Sequence, residues 1–86
     1  MQRGWVVSPD YRAAIDVIKA ARVEIGMSQR ELARRLSKPP SFVNKIEQLE
    51  RRLDLVEFLA VAEAMDIPAV KLLARVAAQL SSPVQI

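Results

Sequence analysis

The chain has 86 residues, room for one domain, and a fold this small buries only about 60% of the surface its unfolded form exposes. It contains no cysteine and no histidine, so disulfides, thiolate nucleophiles and the commonest general base and metal ligand are missing; no enzymatic activity, no metal and no cofactor are expected. Thirteen Lys and Arg against ten Asp and Glu leave a formal charge of +3, a mild bias towards acidic partners such as nucleic acid.

The opening Met1 to Val7 supplies no apolar segment of a signal peptide, and no window reaches the roughly 20 apolar residues of a membrane span. A soluble, cytoplasmic chain with no membrane partner is expected. Trp5 has two readings, a packed end of the domain and a functional aromatic. The period of two that marks a half-buried strand does not occur, while spacings of three and four recur. The fold class is therefore all-α, a compact five-helix bundle.

Helix one is predicted from about Pro9 to Ile25, where Tyr11, Ala14, Ile15, Ile18, Ala21 and Ile25 share a face and Gly26 supplies a stop. Helix two opens on Ser28-Gln-Arg-Glu31, the pattern of a capping box, with Met27 and Leu32 as its hydrophobic staple, and runs to about Ser37. Paired prolines in Ser37-Lys-Pro-Pro40 forbid continuation but suit a new start, and Val43, Ile46 and Leu49 then give helix three one apolar edge. Helix four starts on a second box, Asp54 with Glu57, and a second staple, Leu53 with Phe58. Its expected buried face is Leu55, Phe58, Leu59, Ala62 and Met65, and it ends near Asp66. Helix five, 68–80, holds Lys71, Arg75 and Gln79 on one narrow stripe and is otherwise nearly all apolar. Leu72, Val76 and Leu80 lie on the side that can cover the other helices, whose domain core spans 9–67. The closing Ser-Ser-Pro-Val-Gln-Ile reads as a frayed tail.

A capped helix, a tight connection and a second short helix with Ser, Asn and Lys near its start is the layout of a helix-turn-helix, whose second helix enters the major groove. Residues 15–67, through IKAARVEIGMSQRELARRLSKPPSFVNKIE and then ERRLDLVEFLAVAEAMDI, resemble the Cro and phage-repressor type of helix-turn-helix, also called the xenobiotic-response-element (XRE) type, with its lambda-repressor-like DNA-binding domain. The resemblance implies that helix three, about 40–49, turns Pro40, Ser41, Asn44 and Lys45 to the bases while Gln29 meets a phosphate. It makes Ala33 the small residue at the crossing of helices two and three, Val43 and Ile46 the core side of helix three, and Arg22 with Glu47 a structural ion pair. By the residues alone, Arg22 and Glu47 are equally readable as surface charges worth about 0–1 kcal/mol.

Two positions depart from the family pattern. Pro40 can offer a base only an apolar contact, such as one to a thymine methyl. Leu49 stands where a glycine is common, so the turn after helix three is expected to stay helical for longer or to take another shape.

Without the resemblance, the chemistry points the same way. Lys and Arg neutralise phosphates and release counterions, whereas Ser41, Asn44 and Lys45 carry donors able to read base edges. Lys38, Arg51 and Arg52 are read as phosphate contacts; Arg30, Arg34 and Arg35 are read as a solvated helix face in preference to DNA contacts. The expected function is a sequence-specific regulator of transcription, a repressor, bound to double-stranded DNA at an inverted-repeat operator and so associated with the nucleoid. Val70, Leu73, Ala74 and Ala77 lie off the core side of helix five and are the expected interface of a homodimer. The second reading is an antitoxin or accessory module whose C-terminal helix grips a different protein partner.

Overall fold

Among residues 7–86, which the computed structural model describes, five helices follow in the order α1 (Pro9–Glu24), α2 (Gln29–Arg35), α3 (Ser41–Glu47), α4 (Leu55–Ala64) and α5 (Ala69–Ala78). Trp5 lies outside the described residues. No helix among them is long and apolar enough to cross a membrane.

Three of the starts are built from side chains that satisfy otherwise unpaired amides. Ser8 Oγ accepts from the Tyr11 N–H at 3.0 Å with Pro9 in the first turn of α1, and Ser28 Oγ accepts from the Glu31 N–H at 3.0 Å to open α2. The box expected at α2 is only half made, because the Glu31 carboxylate turns to Arg34 and Arg35, and bonds to a cation are stronger than one to a backbone amide. At α4 both halves are present: Asp54 accepts from the Glu57 N–H at 2.7 Å and Glu57 from the Asp54 N–H at 3.0 Å.

The ends of α1 to α4 share one device. The N–H groups of Met27, Lys38, Glu50 and Ile67 return to the carbonyls of Arg22, Ala33, Lys45 and Ala62 respectively. The residues just before them, Gly26, Ser37, Leu49 and Asp66, take φ of 71°, 56°, 62° and 57°. These are Schellman turns. Glycine adopts that backbone freely, whereas an L side chain is strained there by roughly 1–2 kcal/mol. Leu49 corrects the sequence expectation: the chain neither stays helical nor reshapes the turn, but puts a leucine in the glycine conformation. Its side chain is buried, and burying a leucine is worth about 1.5–3 kcal/mol, enough to offset the strain.

The core gathers Ile15, Ile18 and Ala21 of α1, Leu32 and Ala33 of α2, Phe42, Val43 and Ile46 of α3, Phe58, Val61, Ala62 and Met65 of α4, and Leu72 and Val76 of α5. Leu55 and Leu59, expected in the buried face of α4, are instead 71% and 48% exposed. At about 100° per residue, a face built on Phe58, Val61, Ala62 and Met65 leaves them on its flank. Ile25 is exposed as well, since it lies past the last turn of α1.

The tail is not frayed. The buried Asp10 carboxylate, in the first turn of α1, accepts from the N–H and the hydroxyl of Ser81 and, at 2.7 Å, from the N–H of Gln85. These bonds hold Asp10 below the usual carboxylate range, the Gln85 N–H contributing most and the Ser81 hydroxyl next. A carboxylate at a helix N-terminus is also favoured by the helix dipole, so the clasp sits where an anion is already at home.

Candidate nucleic-acid interface

The angle between the helices that could meet DNA is set by one buried knot of charge. From the last turn of α1, Arg22 donates through Nε and Nη2 to the Glu47 carboxylate at 2.8 and 3.0 Å and through Nη1 to the Met27 carbonyl at 2.7 Å. The side chains of Arg22 and Glu47 are 10% and 4% exposed. Gln29, at the start of α2, adds a bond from Nε2 to Glu47 Oε1 at 2.8 Å. One carboxylate thereby ties α1, α2 and α3 together. The structure turns the Gln29 amide inward to the carboxylate, not outward as expected for a phosphate donor, because a buried carboxylate recruits every donor within reach. No buried side-chain nitrogen or oxygen among the described residues lacks a partner.

On the other side of α3, Ser41, Asn44, Lys45 and Gln48 are exposed. Their spacing of three, four and seven puts them on one strip. None makes a side-chain hydrogen bond or ion pair among the described residues. Gln48 was not singled out in the sequence, although its position four past Asn44 is the signal that places it there. Pro40 is exposed and opens the helix with φ −54° and ψ −30°; the first turn is closed by Phe42 N–H to the Pro39 carbonyl at 2.9 Å.

The cations nearby differ in how they are held. Lys38 Nζ lies 5.5 Å and Arg51 Cζ 4.7 Å from the centroid of the Phe42 ring. Arg51 also donates from Nη1 and Nη2 to the two oxygens of Glu57 at 2.9 and 2.6 Å. Those bonds and the Asp54 N–H hold Glu57 down from 4.5 to about 2. Arg52 stands over Tyr11, 4.9 Å from its centroid, and the Tyr11 hydroxyl accepts from the Leu53 N–H at 3.0 Å. On α2, Arg34 and Arg35 both bind Glu31, which is lowered to about 2 by Arg34 first and Arg35 second. Arg35 also reaches the Ala64 carbonyl at 3.1 Å, where it serves the C-terminus of α4.

The exposed surface of α4 and α5 carries apolar side chains. Val70 and Leu73 of α5 are 80% and 52% exposed, Ala74 and Ala77 are also exposed, and Leu55, Val56 and Leu59 of α4 stand open as well. Leu55 and Leu73 line one shallow groove of about 150 Å³ with Phe58 and Val76. The α4 contribution was missed in the sequence because Leu55 and Leu59 fit an inward helical period and Val56 was not singled out. Arg75 pairs with Glu24 of α1 at 2.9 Å, which assigns part of the polar stripe of α5 to the α1 side. No group of three or more carboxylate, His or Cys side chains able to hold a metal occurs among the described residues.

The pattern of the Helix-turn-helix family matches residues 18–72. The fold is similar to that of an XRE-family like protein from Pseudomonas syringae pv. tomato str. DC3000, 40% identical, with 80% of this chain and 84% of that one covered and a TM-score of 0.75. It is similar to the restriction-modification controller protein C.Esp1396I at 22% identity, covering 85% of this chain and 96% of that one, with a TM-score of 0.77. The controller protein C.AhdI from Aeromonas hydrophila is 29% identical, covers 76% of this chain and 98% of its own, and has a TM-score of 0.67. C.Esp1396I has been solved as a tetramer in complex with its natural 35 base-pair operator. Among curated proteins none matches the chain.

Proposed function

The chain belongs to the XRE-type helix-turn-helix family of DNA-binding regulators, and from that premise we propose that it is a repressor of transcription that docks α3 in the major groove of operator DNA as a homodimer. The observation that carries this reading is the strip Ser41, Asn44, Lys45 and Gln48, polar side chains that the fold leaves unused. Lys45 suits the acceptor pair of guanine, Asn44 the donor and acceptor of adenine, and Pro40 a thymine methyl. Lys38, Arg51 and Arg52 stand around α3 as contacts to the backbone, whose neutralisation gives affinity that falls with salt.

The exposed apolar face of α5, continued by α4, supports the homodimer, since two-fold pairing is the commonest way to close such a patch. A dimer would hold two recognition helices about 34 Å apart, so its operator is an inverted repeat with half-sites about 10 base pairs apart or a multiple of it. Such a protein works on the nucleoid, in the cytoplasm.

Sedimentation and footprinting of the parent, Leu73→Asp and Lys45→Ala test this reading. The parent should sediment as a dimer and protect an inverted repeat, and Leu73→Asp should sediment as a monomer. Lys45→Ala should lose about 1–3 kcal/mol of preference at one base position. A monomeric parent that protects a single asymmetric half-site would overturn the homodimer and favour the reading in which α5 grips a different protein. A parent that protects no duplex at low salt would overturn DNA docking itself.

A further inference from the structure

Phe42, the second residue of the helix proposed to read DNA, is buried, yet part of its cover is charged. Lys38 approaches its ring from the segment before α3 and Arg51 from the segment after it, at 5.5 and 4.7 Å from the centroid. A leucine would fill much the same space; only an aromatic ring offers cations a negative face. Arg51 is fixed a second time by Glu57, whose Oε1 also takes the Asp54 N–H, so the guanidinium is referenced to the first turn of α4. Counting its donors, Nη1 serves Glu57 and the Arg52 carbonyl and Nη2 serves Glu57. That leaves the Nε–H and one Nη2–H for another acceptor, and 38% of the side chain is open to solvent. Lys38 is exposed too. Lys38, Arg51 and Arg52 against Glu57 and Asp54 leave this region with a net charge of +1, next to a strip of donors with no internal partners.

We propose that Phe42 and Glu57 are positioning residues for DNA-backbone binding: the ring holds Lys38 and Arg51 as a pair of phosphate contacts bracketing α3, and Glu57 sets the direction of the Arg51 fork. The inference rests on the DNA-binding reading above. Its physical content is pre-organisation. A long side chain that is already docked loses less rotamer freedom when it meets a phosphate, and two contacts locked to the recognition helix fix its register on the duplex.

The test is binding measured across a series of salt concentrations, to the operator duplex that the parent selects and to a scrambled duplex of equal length. Phe42→Leu should weaken both duplexes by the same factor, on the order of tenfold, and flatten the slope of log K against log salt by about one to two, since each phosphate contact is worth about 0.9. Phe42→Tyr, which restores a ring face, should restore slope and affinity. Glu57→Gln probes the cluster without touching the core and keeps a residue able to complete the cap. Charge counting alone says that this variant binds DNA more tightly; the positioning role says that it binds both duplexes more weakly. Tighter binding by Glu57→Gln would show a carboxylate that masks Arg51 and overturn its part in the proposal. A Phe42→Leu protein with the parent's slope, beside a Lys45→Ala protein that has lost base preference, would overturn the positioning role while leaving the DNA reading intact. A parent that binds neither duplex would overturn both.

Discussion

Where α1, α2 and α3 meet, an arginine and a glutamate lie buried with their bonds made, while on α4 and α5 several leucines and valines stand open. Each region departs from the common partition of side chains, in opposite senses. Taking two charges out of water is expensive, and the attraction between them offsets the expense only in good geometry. A forked pair has a direction, however, and an apolar contact does not. The charged junction therefore specifies how α3 sits against α1 and α2, whereas the apolar face specifies nothing within one chain and is available to another. Direction is supplied by the charged junction, and the open apolar surface of α4 and α5 is left to the proposed pairing.

The sharpest attempt to break this comparison is Arg22→Met. It leaves Glu47 buried with Gln29 but without its cationic partner and should lower stability by about 3–5 kcal/mol in urea unfolding; a loss within the roughly 0–1 kcal/mol of an exposed pair would erase the contrast. Leu49→Gly comes next. Relief of a left-handed backbone, about 1–2 kcal/mol, works against loss of a buried leucine, about 2–5 kcal/mol, so the variant should be less stable by about 1–3 kcal/mol. A gain in stability would show that the turn, not the packing, dominates there.

Acid then attacks charge and spares the apolar face. Asp10, Glu31 and Glu57 are all lowered on folding, the last two from 4.5 to about 2, so their contribution is complete above about pH 4.5 and is lost as pH falls through the folded values. The thermal midpoint should be flat with respect to these groups above pH 4.5 and decline towards pH 2. Glu57→Gln should show a shallower decline over the same window, and an equal decline would remove Glu57 from the account. The smallest effect is Leu55→Ser in a Leu73→Asp background, which keeps subunits apart on the proposed reading. It should change stability by no more than about 0.5 kcal/mol, and a loss above 1 kcal/mol would mean that the face is already covered within the chain.

What could be read in the sequence was local. The Asp54–Glu57 box, the staples, the paired prolines and Gly26 all act within one turn of chain, and they sufficed to place five helices. Ser41, Asn44 and Lys45 could likewise be set on one side of α3 by its period alone. What escaped depends on neighbours remote in sequence. Leu49 takes a glycine backbone because a core waits for its side chain; Leu55 and Leu59 fit an inward period but fall beside the contact that α4 makes. The Phe42 ring meets cations from two loops, and Glu57 holds an arginine as well as a cap. Gln29 carries no sign of its inward turn, because its carboxylate partner lies in another helix.

The Asp10 clasp belongs to that remote class more than any other hydrogen bond among the described residues, joining residues 71 and 75 positions apart. Closing so long a loop costs more chain entropy than closing a turn between residues five positions apart. The four Schellman turns can close while the ends of the chain are still apart, so the clasp is expected to open at a lower free-energy cost than they do. Its opening would free the C-terminal tail while α1 to α4 stay folded. The molecule thus separates local from global events: amide hydrogens of Ser81 and Gln85 should exchange with solvent on the timescale of the tail, and those of Leu32 and Ile46 on the timescale of the whole domain, which native-state hydrogen exchange would check.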